Sequence, residues 1–354
     1  MRARARDEII PITRASTDDS ESLASILSGV DAVLHCAGVN RADSDARLQE
    51  NLVLAQQLTG SLDRSGTHPY IVYANSIQSG SATSFGQTKQ AAADHFIAWA
   101  KRRGADVADV RLPNLFGEHG KPHYNSVVAT FCHLLASNEE PQIIEDRIVP
   151  LLHVQDAVDL MLHLVDDGAD GVVSPEGVRL KVSAVLAKLQ NYHDLYAVGD
   201  LPDLSDRFDR ALFNTYRSFC FPHQYPIHPQ MKSDGRGGLF ECVRARGGQS
   251  QVFCSTTRPG VTRGNHFHLR KVERFLVLEG QATISLRRMF HDEVIRFPVA
   301  GIRPAIVDIP TMWTHSITNT GDHELLTLFW ADEIPESGSV DTYPEAVEPA
   351  REVA

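Results

Sequence analysis

Residues 259–280, PGVTRGNHFHLRKVERFLVLEG, decide the fold of the C-terminal part of this chain. His266 and His268 lie two positions apart, and Glu273 follows after four further residues, with a glycine at fixed spacing on either side of the group. Because residues i and i+2 of a strand share one face, both imidazoles point to the same side, and Glu273 can join them from the next stretch of chain. A histidine pair alone is common by chance, but the pair with the acid and both glycines is a specific pattern.

A second segment, residues 308–321 (DIPTMWTHSITNTG), supplies a third imidazole. Imidazole and carboxylate ligands together suit Zn²⁺ or another first-row divalent ion, with open positions for water or substrate. The predicted metal ligands are His266, His268, Glu273 and His315. The alternative is that these are ordinary strand histidines that face solvent.

The two segments resemble the paired motifs of the cupin superfamily, with Met312 where the second motif usually has glycine. Around them, short β-prone runs separated by Gly and Pro are typical of a sandwich or barrel: QVFCSTT, RFLVLEG, ATISLRR, AIVDIP and LLTLFW. We therefore predict an all-β cupin barrel over residues 226–337, preceded by a linker over residues 201–225. An acidic tail, residues 338–354, is expected to pack loosely or fray.

Just ahead of the metal motif, residues 233–241 (SDGRGGLFE) resemble the Asp-x-Arg-Gly segment of cupin-fold sugar-nucleotide 3,5-epimerases. In that family the arginine meets the phosphates of the substrate. An arginine between glycines can bring its planar fork, and nearby backbone N–H groups, against a phosphate. Arg236 is therefore the predicted diphosphate ligand, and a plain polar turn is the alternative.

The first 200 residues alternate short apolar runs with longer helical patterns, which is typical of crossover units on a parallel sheet. The runs EIIPIT, AVLHCAG and YIVYAN predict strands, and SESLASIL, LQENLVLAQQLTGSL and QAAADHFIAWAKRRG predict helices. We predict an α/β Rossmann-like domain over residues 1–200. With 354 residues the chain is long enough for two domains that each bury a core.

This part resembles an extended short-chain dehydrogenase/reductase on the pieces DAVLHCAGVNR, ENLVLA, YANSIQ and RLPNLFG. The resemblance implies two catalytic residues, namely Ser76, which orients the reacting carbonyl, and Lys89, which lowers the pKa of the family's tyrosine. It also implies a set of NADPH-binding residues, namely Arg14, Ala37, Gly38, Asn51 and Lys89. Arg14 would contact the adenosine ribose or its 2′-phosphate, with a plain surface arginine as the alternative.

The block PNLFGEHGKPHYNSVVATFCHLLASNEE, together with GNHFH and the order reductase then cupin, resembles the bifunctional, CapF-like capsular-polysaccharide enzymes of the UDP-N-acetyl-L-fucosamine pathway. The resemblance implies that the cupin epimerises C-3 of a UDP-linked 4-keto-6-deoxy-N-acetylhexosamine, and that the reductase domain then reduces the C-4 ketone with NADPH. It also implies a substrate-side loop with Asn114, Lys121 and Asn125, in which Lys121 faces a phosphate as a point charge. A purely structural loop is the alternative.

Two departures from the family pattern predict a weak or inactive reductase. The Gly-x-x-Gly-x-x-Gly turn that seats the pyrophosphate is absent, because the chain opens RARARDEIIPITR, as if the first β-α unit were missing. We expect a late start codon or a truncation as the cause, with true loss as the alternative. The family's Tyr-x-x-x-Lys is here Phe85-Gly-Gln-Thr-Lys89, and loss of a positioned general acid costs about 10²- to 10⁴-fold in rate.

The composition favours a small-molecule ligand. A formal charge of -11 opposes nucleic acid and anionic membranes, and no segment approaches twenty uninterrupted apolar residues. Five scattered cysteines fit reduced core residues better than a disulfide framework. We expect a cytoplasmic protein that binds a UDP-sugar, and a homodimer because cupins commonly pair through their sheets.

The leading interpretation is a nucleotide-sugar enzyme in which the cupin epimerase is the surviving chemistry. One alternative is a non-catalytic sugar-nucleotide-binding or assembly partner in which both domains have decayed. Another is the intact bifunctional enzyme, which requires an upstream start and a replacement acid for Phe85. The sequence leaves open whether His315, Glu273 or Lys271 handles the proton in the cupin.

Overall fold

A computed structural model describes residues 8–13, 20–40, 48–234, 237–333 and 341–348 of the chain. The chain divides into two compact units. The first, here called the α/β unit, comprises residues 1–116, 121–127 and 146–182. The second, the barrel unit, comprises residues 117–120, 128–145 and 183–354. It therefore begins ahead of the boundary at residue 200 that the sequence predicts.

Seven helices and eighteen strands are defined in the described ranges. The helices are α1 (Ser20–Ile26), α2 (Glu50–Ser65), α3 (Ser84–Arg103), α4 (Val127–Ala136), α5 (Val154–Asp167), α6 (Val182–Ala197) and α7 (Arg207–Cys220). The first nine strands are β1 (Ala32–His35), β2 (Tyr70–Ser76), β3 (Val107–Leu112), β4 (Asn114–Phe116), β5 (Ile148–His153), β6 (Gly171–Val173), β7 (Val178–Lys181), β8 (Lys232–Asp234) and β9 (Gly237–Leu239). The remaining strands are β10 (Gln251–Thr257), β11 (Thr262–Phe267), β12 (Glu273–Glu279), β13 (Gln281–Arg288), β14 (Val294–Ala300), β15 (Ile306–Ile309), β16 (Trp313–Asn319), β17 (Leu325–Ala331) and β18 (Tyr343–Pro344).

The α/β unit is built on a parallel sheet with the strand order β1-β2-β3-β6. Successive residues of β2 point to opposite faces of this sheet. Ile71 and Tyr73 pack into a core with residues of α1, α2 and α3, whereas Val72 packs into a second core with residues of α5. Helices therefore cover both faces, and the predicted Rossmann-like α/β fold is confirmed.

The run EIIPIT, which the sequence analysis predicts as a strand, does not form one. Residues 8–13 are exposed and carry no strand assignment. A strand needs a hydrogen-bonding neighbour, and none of the strands in the described ranges pairs with this stretch. The prediction was wrong because an apolar pattern gives the propensity for a strand but not its partner.

The barrel unit is formed mainly by two antiparallel sheets, with the orders β10-β17-β12-β15 and β14-β13-β16-β11-β18. Buried apolar residues occur along these strands, including Phe275, Leu276 and Val277 on β12 and Ile284 and Leu286 on β13. Two antiparallel sheets with one apolar face each bury those faces against one another. The predicted all-β cupin-like fold of this part is confirmed.

The segment predicted as a linker, residues 201–225, contains helix α7. Asp206 caps this helix, since its side chain accepts a hydrogen bond from the backbone N–H of residue 209. Leu212, Phe213 and Tyr216 are buried. The helix belongs to the barrel unit, and its apolar face was hidden from the sequence analysis by the Asp, Pro and His residues around it.

A buried ion pair ties two strands of the barrel unit to its helices. Arg274 of β12 donates to both carboxylate oxygens of Asp308 on β15, at 2.6 and 2.9 Å. Tyr196 of α6 donates to the same carboxylate at 2.7 Å. Because Arg274 directly follows Glu273, this network fixes the strand that carries a predicted metal ligand.

The predicted acidic tail is not loose where the structure describes it. Residues 341–348 include β18, which pairs with β11, the strand that carries the predicted ligand His266. Val347 is buried, and Nε and Nη2 of Arg287 together donate three hydrogen bonds to acceptors in this segment. The expectation of fraying was therefore wrong for residues 341–348, because the segment's backbone pairs with a strand and buries an apolar side chain.

No helix in the described ranges is long and apolar enough to cross a membrane. All five cysteines are free thiols.

Candidate metal centre and nucleotide-binding edge

The four predicted metal ligands meet in the barrel unit. Their ligand atoms all lie within 4.8 Å of one another. Glu273 Oε2 is 3.2 Å from His268 Nε2 and 3.3 Å from His315 Nε2. The ring of His266 lies 4.4 Å from that of His315, measured between centroids. His266 is half-buried and the other three are buried, so the cluster opens to solvent on the side of His266.

A bulge in β11 brings two of these ligands together. The register of β11 against β16 shifts between Gly264 and His266, and the shift places His266 directly opposite His315. Gly264 has φ +105°, and a Cβ atom at this position would lie 2.6 Å from the carbonyl oxygen of His315. Only glycine permits this approach of the two strands.

The electrostatics of the cluster favour metal ligation at neutral pH. Burial, followed by the neighbouring His315 and His268, lowers the pKa of His266 to about 4. Burial is also the main cause that lowers the pKa of His315. Burial alone would raise the pKa of Glu273, but its interactions with His268 and His315 hold it well below its usual value. Neutral imidazoles and an ionised carboxylate are the forms that bind a divalent ion.

One atom of the cluster has no hydrogen-bond partner. His315 Nε2 is buried. Glu273 Oε2 lies 3.3 Å away without the geometry of a hydrogen bond, and no other described residue bonds to this nitrogen. A buried ring nitrogen without a partner is costly unless a ligand occupies its lone pair. The three imidazoles and one carboxylate therefore fit the Zn²⁺ or other first-row divalent ion predicted from the sequence.

Met312 takes over the role of the glycine that it replaces. Its φ is +62°, in the left-handed region that glycine adopts readily. Its backbone N–H donates to the carbonyl of His268 at 2.8 Å. The turn ahead of β16 is thus kept, and the side-chain difference does not displace His315 from the cluster.

Two polar side chains near the ligands bear on the chemistry. Lys271 Nζ lies 3.5 Å from Glu273 Oε1. Of the three groups considered for proton transfer, Lys271 is the one that is not itself a predicted ligand.

The sequence analysis missed Arg263. Arg263 pairs with Ile317, and His266 pairs with His315. Because Ile317 and His315 lie two positions apart, they share one face of β16, and so do the residues opposite them. The bulge therefore puts Arg263 and His266 on the same face of β11, although an odd number of positions separates them.

In the α/β unit, the predicted cofactor residues within the described ranges, Ala37, Gly38, Asn51 and Lys89, lie near the ends of β1 and β2. Asn51 is buried, and it accepts from the N–H of Val39 at 2.8 Å and donates to its carbonyl at 3.0 Å. A Cβ atom on the neighbouring Gly38 would lie 2.9 Å from Asn51 Oδ1. Ala37 is exposed beside them. This polar contact fixes the loop that follows β1.

Lys89 turns towards the interior of the α/β unit. Its ammonium donates to the carbonyl of Ala74 at 2.9 Å and lies 4.3 Å from the ring centroid of Tyr73. Burial, partly offset by Asp109, lowers its pKa to about 8. Ser76 ends the same strand as Ala74, and its hydroxyl accepts from the N–H of residue 78 at 3.2 Å.

Phe85 lies half-buried in the first turn of α3, one turn ahead of Lys89. Its ring has no group that donates a proton. The structure thus keeps the serine and lysine at one edge of the sheet and leaves the tyrosine position without an acid.

The predicted substrate-side residues have different surroundings. Asn114, on β4, donates to the carbonyl of Pro150 at 3.1 Å. Lys121 and Asn125 are exposed, with Lys121 Nζ 5.3 Å from the ring centroid of Tyr124. Arg14 and Arg236 lie outside the described residues.

Comparisons with known proteins cover both units. Residues 2–176 match the model of the NAD dependent epimerase/dehydratase family, and residues 232–343 match that of the polysaccharide biosynthesis C-terminal domain. The chain is 31% identical to a UDP-2-acetamido-2,6-beta-L-arabino-hexul-4-ose reductase of Pseudomonas aeruginosa over 342 residues, which is 95% of this chain and 91% of the relative.

Two solved structures of CapF resemble this chain over most of its length. The capsular polysaccharide assembling protein CapF of Staphylococcus aureus is 31% identical, with a TM-score of 0.57 over 92% of this chain and 90% of that one. CapF with the inhibitor 3-isopropenyl-tropolone is 29% identical, with a TM-score of 0.57 over 98% and 94%. The chain belongs to the CapF-like family of nucleotide-sugar reductase/epimerase enzymes of polysaccharide biosynthesis, in which an epimerase/dehydratase-type domain precedes a C-terminal polysaccharide biosynthesis domain.

Proposed function

We propose that this chain epimerises C-3 of a UDP-linked 4-keto-6-deoxy-N-acetylhexosamine at the cluster of His266, His268, Glu273 and His315. The observation that carries the proposal is the convergence of these four ligand atoms within 4.8 Å in a partly open site. The P. aeruginosa relative is named for a UDP-linked hexul-4-ose, which supports a 4-keto sugar nucleotide as the substrate class.

The proposed reaction is a proton removal and return. The ketone at C-4 acidifies the hydrogen at C-3, so a base removes it as a proton and an enolate forms. Return of a proton to the opposite face restores the ketone with C-3 inverted, and no net proton is consumed. A divalent ion, when bound, would stabilise the negative charge of the enolate oxygen.

Two side chains of the barrel unit would serve this reaction directly. Lys271 lies beside Glu273 without being a predicted ligand, so we assign it the proton transfer on one face. Arg263 shares the strand face of His266 and is exposed, and we assign it to the anionic part of a sugar nucleotide. Its guanidinium donates to Thr257 Oγ1 and to the carbonyl of Thr256, both at 3.0 Å. Arg236, predicted as a diphosphate ligand, keeps that role in the proposal.

Reduction of the C-4 ketone by NADPH is proposed to be weak in this chain. A hydride delivered to C-4 leaves an alkoxide that needs a proton, and Phe85 has none to give. Ser76 and Lys89 retain the positions that the family implies, but Lys89 donates to the carbonyl of Ala74 and not to a tyrosine.

The test is incubation of the metal-loaded protein with the 4-keto sugar nucleotide in deuterated water, with and without NADPH. Deuterium at C-3 is followed by NMR, and NADPH by its absorbance. We expect deuterium uptake without NADPH oxidation. The variant Glu273→Gln keeps the size of the side chain but lacks the ionised ligand, so it should bind metal weakly and exchange little deuterium.

A folded, metal-bound sample that takes up no deuterium would refute the epimerase and favour the non-catalytic binding partner. A tropolone has adjacent oxygens that chelate a divalent ion, so 3-isopropenyl-tropolone, which CapF binds, should compete with the substrate if the metal is at the reacting centre. NADPH oxidation at a rate matching deuterium uptake would instead support the intact bifunctional enzyme. The homodimer and the cytoplasmic location stay predictions, and light scattering tests the first.

A further inference from the structure

We propose that Asp341 is a positioning residue of the metal site and that residues 341–348 act as a clamp that holds two of its ligands in place. This inference rests on the metal site proposed above and deepens it. Asp341 is 73 positions from His268 in the sequence, and it is 1% exposed. It contacts the ligand-bearing loop through both its backbone and its side chain.

The backbone contact sets the tautomer of one ligand. The Nδ1 atom of His268 is hydrogen-bonded to the backbone carbonyl of Asp341. A carbonyl oxygen only accepts, so Nδ1 must carry the proton. The neutral ring then has its lone pair on Nε2, the atom that lies 3.2 Å from Glu273 Oε2 inside the cluster. Such a hydrogen bond on the far side of a histidine ligand fixes both ring orientation and tautomer.

The side-chain contact sets the loop between two ligands. The Asp341 carboxylate accepts from three consecutive backbone N–H groups, those of Leu269 at 3.0 Å, Arg270 at 2.7 Å and Lys271 at 2.8 Å. These residues belong to no strand, so no ladder holds them. One carboxylate therefore fixes the path of the chain from His268 to Glu273.

Other contacts hold the same loop from elsewhere in the barrel unit. Asp332 accepts from the N–H of Val272 at 2.8 Å, and Asn214 donates to the carbonyl of Arg270 at 2.7 Å. These contacts remain when Asp341 is changed. Without the Asp341 carboxylate, the loop from His268 to Glu273 should stay close to its present position, but its backbone is less tightly held. We therefore expect a folded protein that binds metal more weakly.

The clamp is itself anchored by contacts outside the loop that joins His268 to Glu273. The N–H of Glu345 donates to the carbonyl of Asn265 at 2.9 Å, and Arg287 donates to the carbonyls of Ala346 at 2.6 Å and Val347 at 2.7 Å. The side chain of Val347 is 1% exposed. Loosening this anchor should release Asp341 without altering any atom that contacts the ligand loop.

The experiment measures Co²⁺ and Zn²⁺ binding by the full-length chain and by Asp341→Asn. Affinity is measured by competition with a chelator, and the visible absorption of bound Co²⁺ reports the ligand geometry. In Asp341→Asn, an NH₂ group replaces one carboxylate oxygen. This group donates and cannot accept a hydrogen bond from the backbone N–H groups of the loop. The backbone carbonyl that bonds His268 is kept, and the carboxylate that orients the loop between the ligands is lost. We expect a loss of affinity of about 10- to 100-fold and changed Co²⁺ bands, the range typical when an outer contact that orients metal ligands is removed.

The matched control is Glu348→Gln, the same change from carboxylate to amide in the same segment. Glu348 is exposed and pairs with the exposed Arg296, so this variant should bind both metals as the unchanged protein does. If the unchanged protein binds neither metal, the proposed metal site fails. If it binds both and Asp341→Asn does so within twofold and with the same Co²⁺ bands, only this inference is overturned.

If near-ultraviolet circular dichroism shows that Asp341→Asn does not fold, a second variant tests whether residues 341–348 hold the ligands in place. Val347→Ala shortens a side chain that anchors the segment and leaves Asp341 intact. We expect bound Co²⁺ to transfer to a chelator several-fold faster from Val347→Ala than from Glu348→Gln. Equal transfer rates from the two variants would overturn the clamp.

Discussion

Replacing Gly264 by alanine should destabilise the barrel unit and weaken its metal site together. Gly264 has φ +105°, a conformation that side-chain-bearing residues rarely adopt. The added Cβ would lie 2.6 Å from the carbonyl oxygen of His315 and 2.9 Å from the Cα of Ser316. Both are backbone atoms, so the contact is relieved only if β11 moves away from β16, which separates His266 from His315.

The expected free-energy cost has two parts. The backbone conformation costs about 1–3 kcal/mol for a residue other than glycine. The forced shift of closely packed strands costs about 1–3 kcal/mol more. Gly260→Ala is the matched control, because Gly260 also has positive φ, +73°, and no described atom lies within 4 Å of its added Cβ. It should cost about 1–2 kcal/mol, from the backbone alone.

The free energy of unfolding is measured by urea titration with tryptophan fluorescence. Trp313 and Trp330 lie in the barrel unit, and Trp99 lies in the α/β unit. Variants that keep the tryptophans of only one unit therefore report the unfolding of that unit alone. Because both variants bear the backbone cost, Gly264→Ala should lower the stability of the barrel unit by about 1–3 kcal/mol more than Gly260→Ala. It should also weaken Co²⁺ binding. Equal stability and equal Co²⁺ affinity in the two variants would refute the close approach at Gly264.

Three further outcomes are expected. Phe85→Tyr should raise the rate of NADPH oxidation with a 4-keto sugar nucleotide by about 10²- to 10⁴-fold, and no gain would show that the missing acid is not what limits reduction. Arg274→Met should destabilise the barrel unit by about 3–5 kcal/mol in urea, because it leaves Asp308 charged and buried, and adding Asp308→Leu should recover part of the loss. Burial, and after it the charge of Lys89, lowers the pKa of His35 from its usual 6.5 to about 4. Between pH 6.5 and 4 the unfolded chain therefore binds a proton at His35 that the folded chain does not. The free energy of unfolding falls as the pH drops through this interval. The Trp99 signal should show a loss of up to about 3 kcal/mol from His35 between pH 6.5 and 4, and His35→Phe should remove that part of the pH dependence.

The sequence predicted the metal ligands because their signal is local. His266 and His268 share a strand face by the two-residue period, and the acid and third histidine stand at fixed offsets within recognisable segments. The structure brought all four together. The same period would have placed Arg263 on the other face, and only the bulge after Gly264 reverses that assignment.

The elements of the α/β unit were predictable for a similar reason. Apolar periodicity identified β1, β2, α2 and α3, since one buried face suffices to reveal a strand or a helix. It failed for residues 8–13, which have the apolar pattern of a strand but no neighbouring strand among the described ones. Composition failed for residues 201–225, where polar residues around α7 masked a buried helical face.

By itself, the sequence determined the fold class of each unit, because fold class depends on apolar periodicity and turn residues. It also predicted which four side chains converge in the barrel unit, since that pattern depends on residue type and short spacing. The tertiary structure decided what residues 341–348 do. Nothing in the composition of an acidic C-terminal stretch indicates a partner, yet Asp341 meets His268 across 73 positions of chain. Contacts at that separation are set by the register of β18 on β11, and register is a property of the packed sheet.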